Sequence, residues 1–197
     1  MPTRSYVSPS RSRSTAETRA NVLLAATEML RRDGGIAVFS LDAVGKAAGV
    51  TRLTVYNQFG SRRGLLEAVM EDVSRRGGIA RLGEVLAVTD PLEALDQLVE
   101  IFSTFWASDA AIGRIFDAMA VDDEIAEALA PRFNAGRSVI AAIIERLLPA
   151  EPESARQDAA DMIHALTDLP VYRSLCTGRT IDQVRILLQK SCRAIIR

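Results

Sequence analysis

The stretch GVTRLTVYNQFGSRRGLL, residues 49–66, decides how this chain is read. It holds one complete short helix with its start and stop signals. Thr51 is a good N-cap, Gly60 a good terminator, and Ser61 a second cap that opens the next helix. Between them lie eight residues, Arg52 to Phe59. Placed at ~100° per residue, Val55 and Phe59 share one side, and Leu53 and Asn57 fall opposite them. Arg52 and Tyr56 flank one edge of that outer crest, Thr54 and Gln58 the other. From Ala43 to Gly64 there is no Asp or Glu, whereas Lys46, Arg52, Arg62 and Arg63 are present. A solvated helix face does not favour an exposed Leu beside a Tyr with no acid nearby. A face that meets base edges does: Asn bonds adenine, an apolar group touches the thymine methyl, and Arg, Thr and Tyr bond bases or phosphates.

The residues upstream supply the frame. Ser40 caps a helix over Leu41–Ala48, which Gly49 ends, and the spacing to the next helix is that of a helix-turn-helix. Such a unit needs small residues where its helices cross, here Gly45 and Ala48. It also needs apolar anchors, here Val44, Val50, Val55 and Phe59. A helix over Thr15–Arg32 precedes the pair, with Val22, Leu23, Ala26 and Leu30 along one face. Another follows from Ser61 to about Arg76.

The remainder also reads as helices, with no period-two alternation, so the fold class is all-α. Asp90-Pro91 starts a helix to about Ala107. Further helical stretches fall near 109–119, 123–148, 154–176 and 181–196. Pro131 is expected to divide or bend the third helix, and Pro170 to interrupt the fourth. Residues 1–77 carry 12 basic and 7 acidic side chains, and residues 78–197 carry 12 and 18, so the basic part is the one suited to a polyanion. No run approaches the ~18 apolar residues of a membrane span, and two cysteines, Cys176 and Cys192, suggest a reducing compartment. The expected location is the cytoplasm, without membrane association. The chain divides into a flexible basic arm (1–14), a three-helix DNA-binding domain (15–62) and a helical domain (63–197).

Val44-Gly45, Ala48-Gly49-Val50-Thr51, Thr54-x-Tyr56-x-x-Phe59 and Ser61-Arg62-x-x-Leu65-Leu66 together resemble the DNA-binding signature of the TetR family of bacterial transcriptional regulators. The similarity spans about 45 residues, and LTDLPVYRSLCTGRTIDQV (167–184 and the residue before) resembles that family's dimerisation half. The resemblance implies an N-terminal helix-turn-helix domain and a C-terminal helical bundle for dimerisation and effector binding. It implies DNA contacts at Thr51, Arg52, Leu53, Thr54, Tyr56 and Asn57, with phosphate contacts at Ser40 and Arg62. The arm arginines Arg4, Arg11 and Arg13 add non-specific affinity. Leu53 departs from the family, which usually has Gly or a small residue there; Asn57 and Gln58 stand where an aromatic or His is frequent, Gly45 where Ala is usual, and Arg62 where Lys is usual.

The resemblance further implies a homodimer on a pseudo-palindromic site in double-stranded DNA. Its four-helix interface is expected to use the stripe Ile181, Val184, Leu188 and Ile195 with Ile163, Leu166 and Leu175. It also implies an effector pocket among the middle helices, for which Phe102, Phe105, Trp106, Arg114, Phe116 and Met119 would suit a small apolar or aromatic molecule. Asp117 is a further polar anchor. The implied mechanism is repression relieved when the effector moves the helix that follows Ser61 and changes the separation of the two reading heads. No cofactor, metal or catalytic residue is expected. One alternative is a helical ligand-binding or protein-interaction module without DNA binding. A second is a metal-dependent enzyme using His164, the only histidine, with Asp161 and Asp168.

Overall fold

A computed structural model describes the backbone of residues 9–197 and the side chains of 14–131 and 135–197. The elements among these residues are helices: α1 (Pro9–Arg31), α2 (Gly35–Val38), α3 (Leu41–Ala47), α4 (Arg52–Phe59), α5 (Arg62–Arg76), a 3₁₀ turn (Ile79–Arg81), α6 (Leu82–Val85), α7 (Pro91–Ser108), α8 (Ala110–Met119), α9 (Asp123–Leu147), α10 (Glu153–Thr167), α11 (Leu169–Cys176) and α12 (Ile181–Ile195). The chain forms two compact units, one through Asp72 and one from Val73 to Arg197. Helix α5 is continuous across that boundary.

In the first unit the caps set the helix limits. The Ser40 hydroxyl accepts from the Ala43 amide at 3.2 Å and the Thr51 hydroxyl from the Thr54 amide at 3.1 Å. Ser61 does the same for Gly64 at 3.0 Å. Such caps contribute about 1 kcal/mol each. Val22, Ala26, Leu30, Val44 and Val55 are fully buried and form the core of the unit. Helix α1 is helical from the first described residue, Pro9, and so extends at least six residues ahead of the Thr15 expected from apolar periodicity. Each added turn costs little once the packed part has nucleated the helix. The one-turn helix α2 was not foreseen, because Asp33-Gly34-Gly35 reads only as a terminator.

In the second unit, α7 starts with Pro91 behind the Asp90 carboxylate, which accepts from the Leu92 amide at 2.9 Å. Helix α9 continues through Pro131, so the proline does not divide it. Proline removes one intrahelical donor, but Ile125 and Leu129 before it and Ile140, Ile143 and Ile144 after it are all buried, so packing on both sides offsets the loss. The expected break near Pro170 falls at Asp168, whose carboxylate caps α11 through the Leu169 amide at 2.8 Å. Helix α12 opens with a capping box between Thr180 and Gln183 and packs on α7. There Arg193 bridges Asp96, and the Gln189 amide donates to the Asp96 carbonyl at 3.2 Å. Arg146 holds the loop before α7 by donating to the carbonyls of Val88 at 2.6 Å and Thr89 at 2.8 Å. Burial pushes the Cys192 thiol up to about 12, so it is an apolar core group at neutral pH.

His164 on α10 has its Nδ1 atom buried without a hydrogen-bond partner. Burial, then the charge of Arg137, lower its pKa below 6.5, with Asp168 and Asp161 opposing. Among the described residues no group of three or more His, Cys, Asp or Glu side chains is placed to hold a metal ion. A histidine whose folded pKa is depressed contributes stability that is present above its unfolded value and lost as pH falls through the folded one. Chemical unfolding midpoints measured between about pH 7 and 5.5 are therefore expected to fall with pH, and to fall less steeply in His164→Gln.

Candidate nucleic-acid interface

The geometry of the head starts at the crossing of α3 and α4. A Cβ atom on Gly45 would lie 3.1 Å from the Val50 carbonyl oxygen, so glycine lets the two helices approach this closely. Gly49 makes the turn at φ 70°, a left-handed conformation that suits glycine. Between them these residues set the direction of α4. A second support comes from α1. The Arg19 guanidinium lies 4.3 Å above the Phe59 ring and donates to the Gln58 carbonyl at 3.1 Å. Phe59 is half-buried rather than a core anchor, its outer face covered by this arginine.

With Val55 buried, Leu53, Tyr56 and Asn57 are presented outward, Leu53 at 65 % exposure. Ser40, Arg52, Tyr56 and Arg62 line one cleft of about 530 Å³, together with Leu41, Asp42, Gly60 and Ser61. Four expected DNA-contacting residues thus share one cleft, and Leu53 and Asn57 are exposed on the same helix outside its lining. Thr51 and Thr54 differ in kind. Their hydroxyls are 2.9 Å apart, and Thr51 also caps α4, so both first serve the helix start.

The cations of the head are partly engaged at home. Arg62 donates through Nε to the Phe39 carbonyl at 3.2 Å, which ties the start of α5 to the segment ahead of α3. Lys46 pairs with Asp42 at 2.8 Å, and Arg63 with Glu67 at 3.0 Å. The hydrogen bond and charge of Asp42 raise the pKa of Lys46. These pairings follow i,i+4 spacing and were open to sequence reading; the acid-free window ended one residue short of Asp42 and three short of Glu67. Arg4 lies outside the described residues, as do the side chains of Arg11 and Arg13.

The middle helices hold an aromatic cluster. Trp106 lies 4.9 Å from Phe105, 6.4 Å from Phe102 and 6.0 Å from Phe116 between ring centroids, and its indole N–H donates to the Thr167 carbonyl at 2.9 Å. Of the six residues suggested for an effector, Trp106 and Arg114 line a cleft of about 360 Å³ with Asp109, Asp117, Leu169, Tyr172 and Arg173. Phe102, Phe105, Phe116 and Met119 do not line it, and Phe105 is buried in the core. Asp117 is paired with Arg173 at 2.6 Å, and the buried Asp109 with Arg76, at the end of α5, at 3.3 Å.

The stripe suggested for dimerisation turns largely inward. Ile163, Val184 and Leu188 are buried in the protomer's own core, Leu166, Leu175 and Ile195 are half-buried, and Ile181 is exposed. An amphipathic pattern identifies the covered face without saying what covers it, and here α7 covers α12. Besides Ile181, the packed pair α10 and α12 turns Met162 and Ile186 outward, which sequence reading missed because they lie off the stripe.

The family model of the bacterial regulatory proteins of the tetR family matches residues 23–69. An uncharacterized HTH-type transcriptional regulator of Mycobacterium tuberculosis (strain H37Rv) is 28% identical over 158 residues, 79% of this chain and 76% of the relative. Among solved structures, a chain assigned to the TetR family from Rhodococcus sp. superposes with a TM-score of 0.73 at 22% identity, covering 92% of this chain and all of that one. NalD, the secondary repressor of the MexAB-OprM multidrug efflux pump in Pseudomonas aeruginosa, superposes with a TM-score of 0.69 at 24% identity, covering 92% and 96%. The head of the chain, residues 23–69, thus matches the tetR family of bacterial regulatory proteins, whose members bind DNA, and nine-tenths of the chain shares the fold of these solved regulators.

Proposed function

We propose that the protein is a repressor that binds a two-fold-symmetric operator as a homodimer and releases it on binding a small molecule. The observation that carries this is the head of the first unit. An outward crest of Leu53 and Asn57 stands beside a cleft that gathers Ser40, Arg52, Tyr56 and Arg62. In this reading Asn57 bonds a base edge in the major groove, and Ser40, Arg52, Tyr56 and Arg62 hold the flanking backbone. Thr51 and Thr54 keep the first turn of α4 in shape and place its amides toward the groove. The relation to NalD, a repressor, supports the sign of regulation.

One such head reads too few base pairs for useful specificity, so two are needed. Exposed Met162 and Ile186, with half-buried Leu166, offer the apolar patch for a second copy on α10 and α12. The cleft beside Trp106 falls in the volume range of small-molecule sites and combines aromatic walls with two ion pairs. Its Asp109 holds Arg76, the last residue of α5, and the same helix begins at Arg62 in the other cleft. A ligand that separates Asp109 from Arg76 would free that end of α5. To act as an inducer it must bind the DNA-incompetent state more tightly.

Duplexes selected from a random pool are expected to show two half-sites related by a two-fold axis, with binding that weakens steeply as salt rises. Asn57→Ala should relax the preference at one base pair per half-site, at a cost of about 1–3 kcal/mol. Arg62→Ala should weaken all sequences alike. Uniform losses for both variants across operator mutants would remove the assigned role of Asn57. Sedimentation at micromolar protein should give a dimer, and Met162→Asp with Ile186→Asp should give a folded monomer with weakened operator binding. A wild-type monomer would overturn the dimer.

A further inference from the structure

We infer that Leu53 is a specificity-determining residue that reads the C5-methyl group of one thymine in each half-site. The inference rests on the proposed reading of the head and concerns what that head selects. Leu53 is 65 % exposed on a helix whose opposite side, at Val55, is fully buried. It sits next to Arg52, one turn from Tyr56 and Asn57, on a helix with no acidic residue. The surface around it therefore suits a polyanion, and Leu53 is the exposed side chain of this crest that has no polar atom. Exposed apolar residues elsewhere in the first unit, Leu24 on α1 and Val38 on α2, lie outside this helix.

The chemistry of the groove then narrows the choice. In the major groove thymine alone among the four bases presents an apolar group; the other edges are donors and acceptors. Against any of those edges, Leu53 would displace water and offer no hydrogen bond in return, which costs free energy. Against thymine it would cover a methyl group and gain the free energy of apolar burial. One side chain thus both attracts the right base and penalises the others. The remaining crest residues are less suited to the task. Tyr56 lines the cleft with Arg62, and Thr54 is hydrogen-bonded to Thr51.

The test removes the methyl group from the DNA rather than the residue alone. Thymines of the duplex selected by the wild-type protein are replaced one at a time, in both halves, by deoxyuridine. Affinities are measured by fluorescence anisotropy at fixed salt. One thymine per half-site should lose about fourfold in wild-type affinity, the value of one buried methyl. In Leu53→Ala, an exposed position where folding is not at stake, thymine and deoxyuridine should bind alike at that position. Cytosine there should bind wild-type protein poorly, and 5-methylcytosine should recover part of the loss. If no deoxyuridine changes wild-type affinity, or if Leu53→Ala keeps the full sensitivity, Leu53 does not read the methyl. Failure of the wild-type protein to enrich any duplex would instead overturn the proposed function itself.

Discussion

The contact on which the head depends is the approach of two backbones at Gly45. Its hydrogen faces the Val50 carbonyl where even a methyl group would sit at 3.1 Å. Because α3 can come this close, the three-residue turn through Gly49 is short enough to fix the angle of α4. Because α4 is fixed, Val55 is buried and Leu53 and Asn57 are aimed outward. A larger residue at Gly45 would act on DNA binding without touching DNA, by moving the helix that carries the crest. Arg19 secures the same helix from the other side, with its charge over Phe59 and a hydrogen bond to the Gln58 carbonyl.

Much of this head could be read from residues. Ser40, Thr51 and Ser61 are caps with side-chain acceptors, and each caps where expected. The limits of α4 agree to the residue because Thr51 and Gly60 are both local signals. Local chemistry is legible because its partners lie within four positions. The outward direction of Leu53 and Asn57 followed from helical period alone. What periodicity could not supply is the identity of a covering surface. The apolar stripe of α12 looked like an interface between copies, yet Val184 and Leu188 meet the protomer's own helices. Similarly, the aromatic residues of α7 and α8 looked like pocket walls, and most of them fill space against one another.

Pro131 teaches the complementary lesson. A helix breaker acts with a local cost of a few kcal/mol, and tertiary packing on both sides of it can exceed that cost. The buried isoleucines of α9 lie six to thirteen positions from the proline, beyond the reach of any local rule. Arg62 is a second case. The resemblance implied a phosphate contact there, but its bond to the Phe39 carbonyl, 23 positions away, appears only in three dimensions. The residue that would grip the backbone of the nucleic acid also holds the entry to α3.

Trp106 is the only tryptophan in the chain. Its indole is buried among Phe102, Phe105 and Phe116, hydrogen-bonded to the carbonyl of Thr167 at the end of α10, and at the edge of the cleft that contains Asp109. The molecule therefore carries its own spectroscopic probe at the point where three helices of the second unit meet. Intrinsic emission from this protein is emission from a single, defined environment, and any rearrangement of α7 against α8 or α10 changes its colour and intensity without a label.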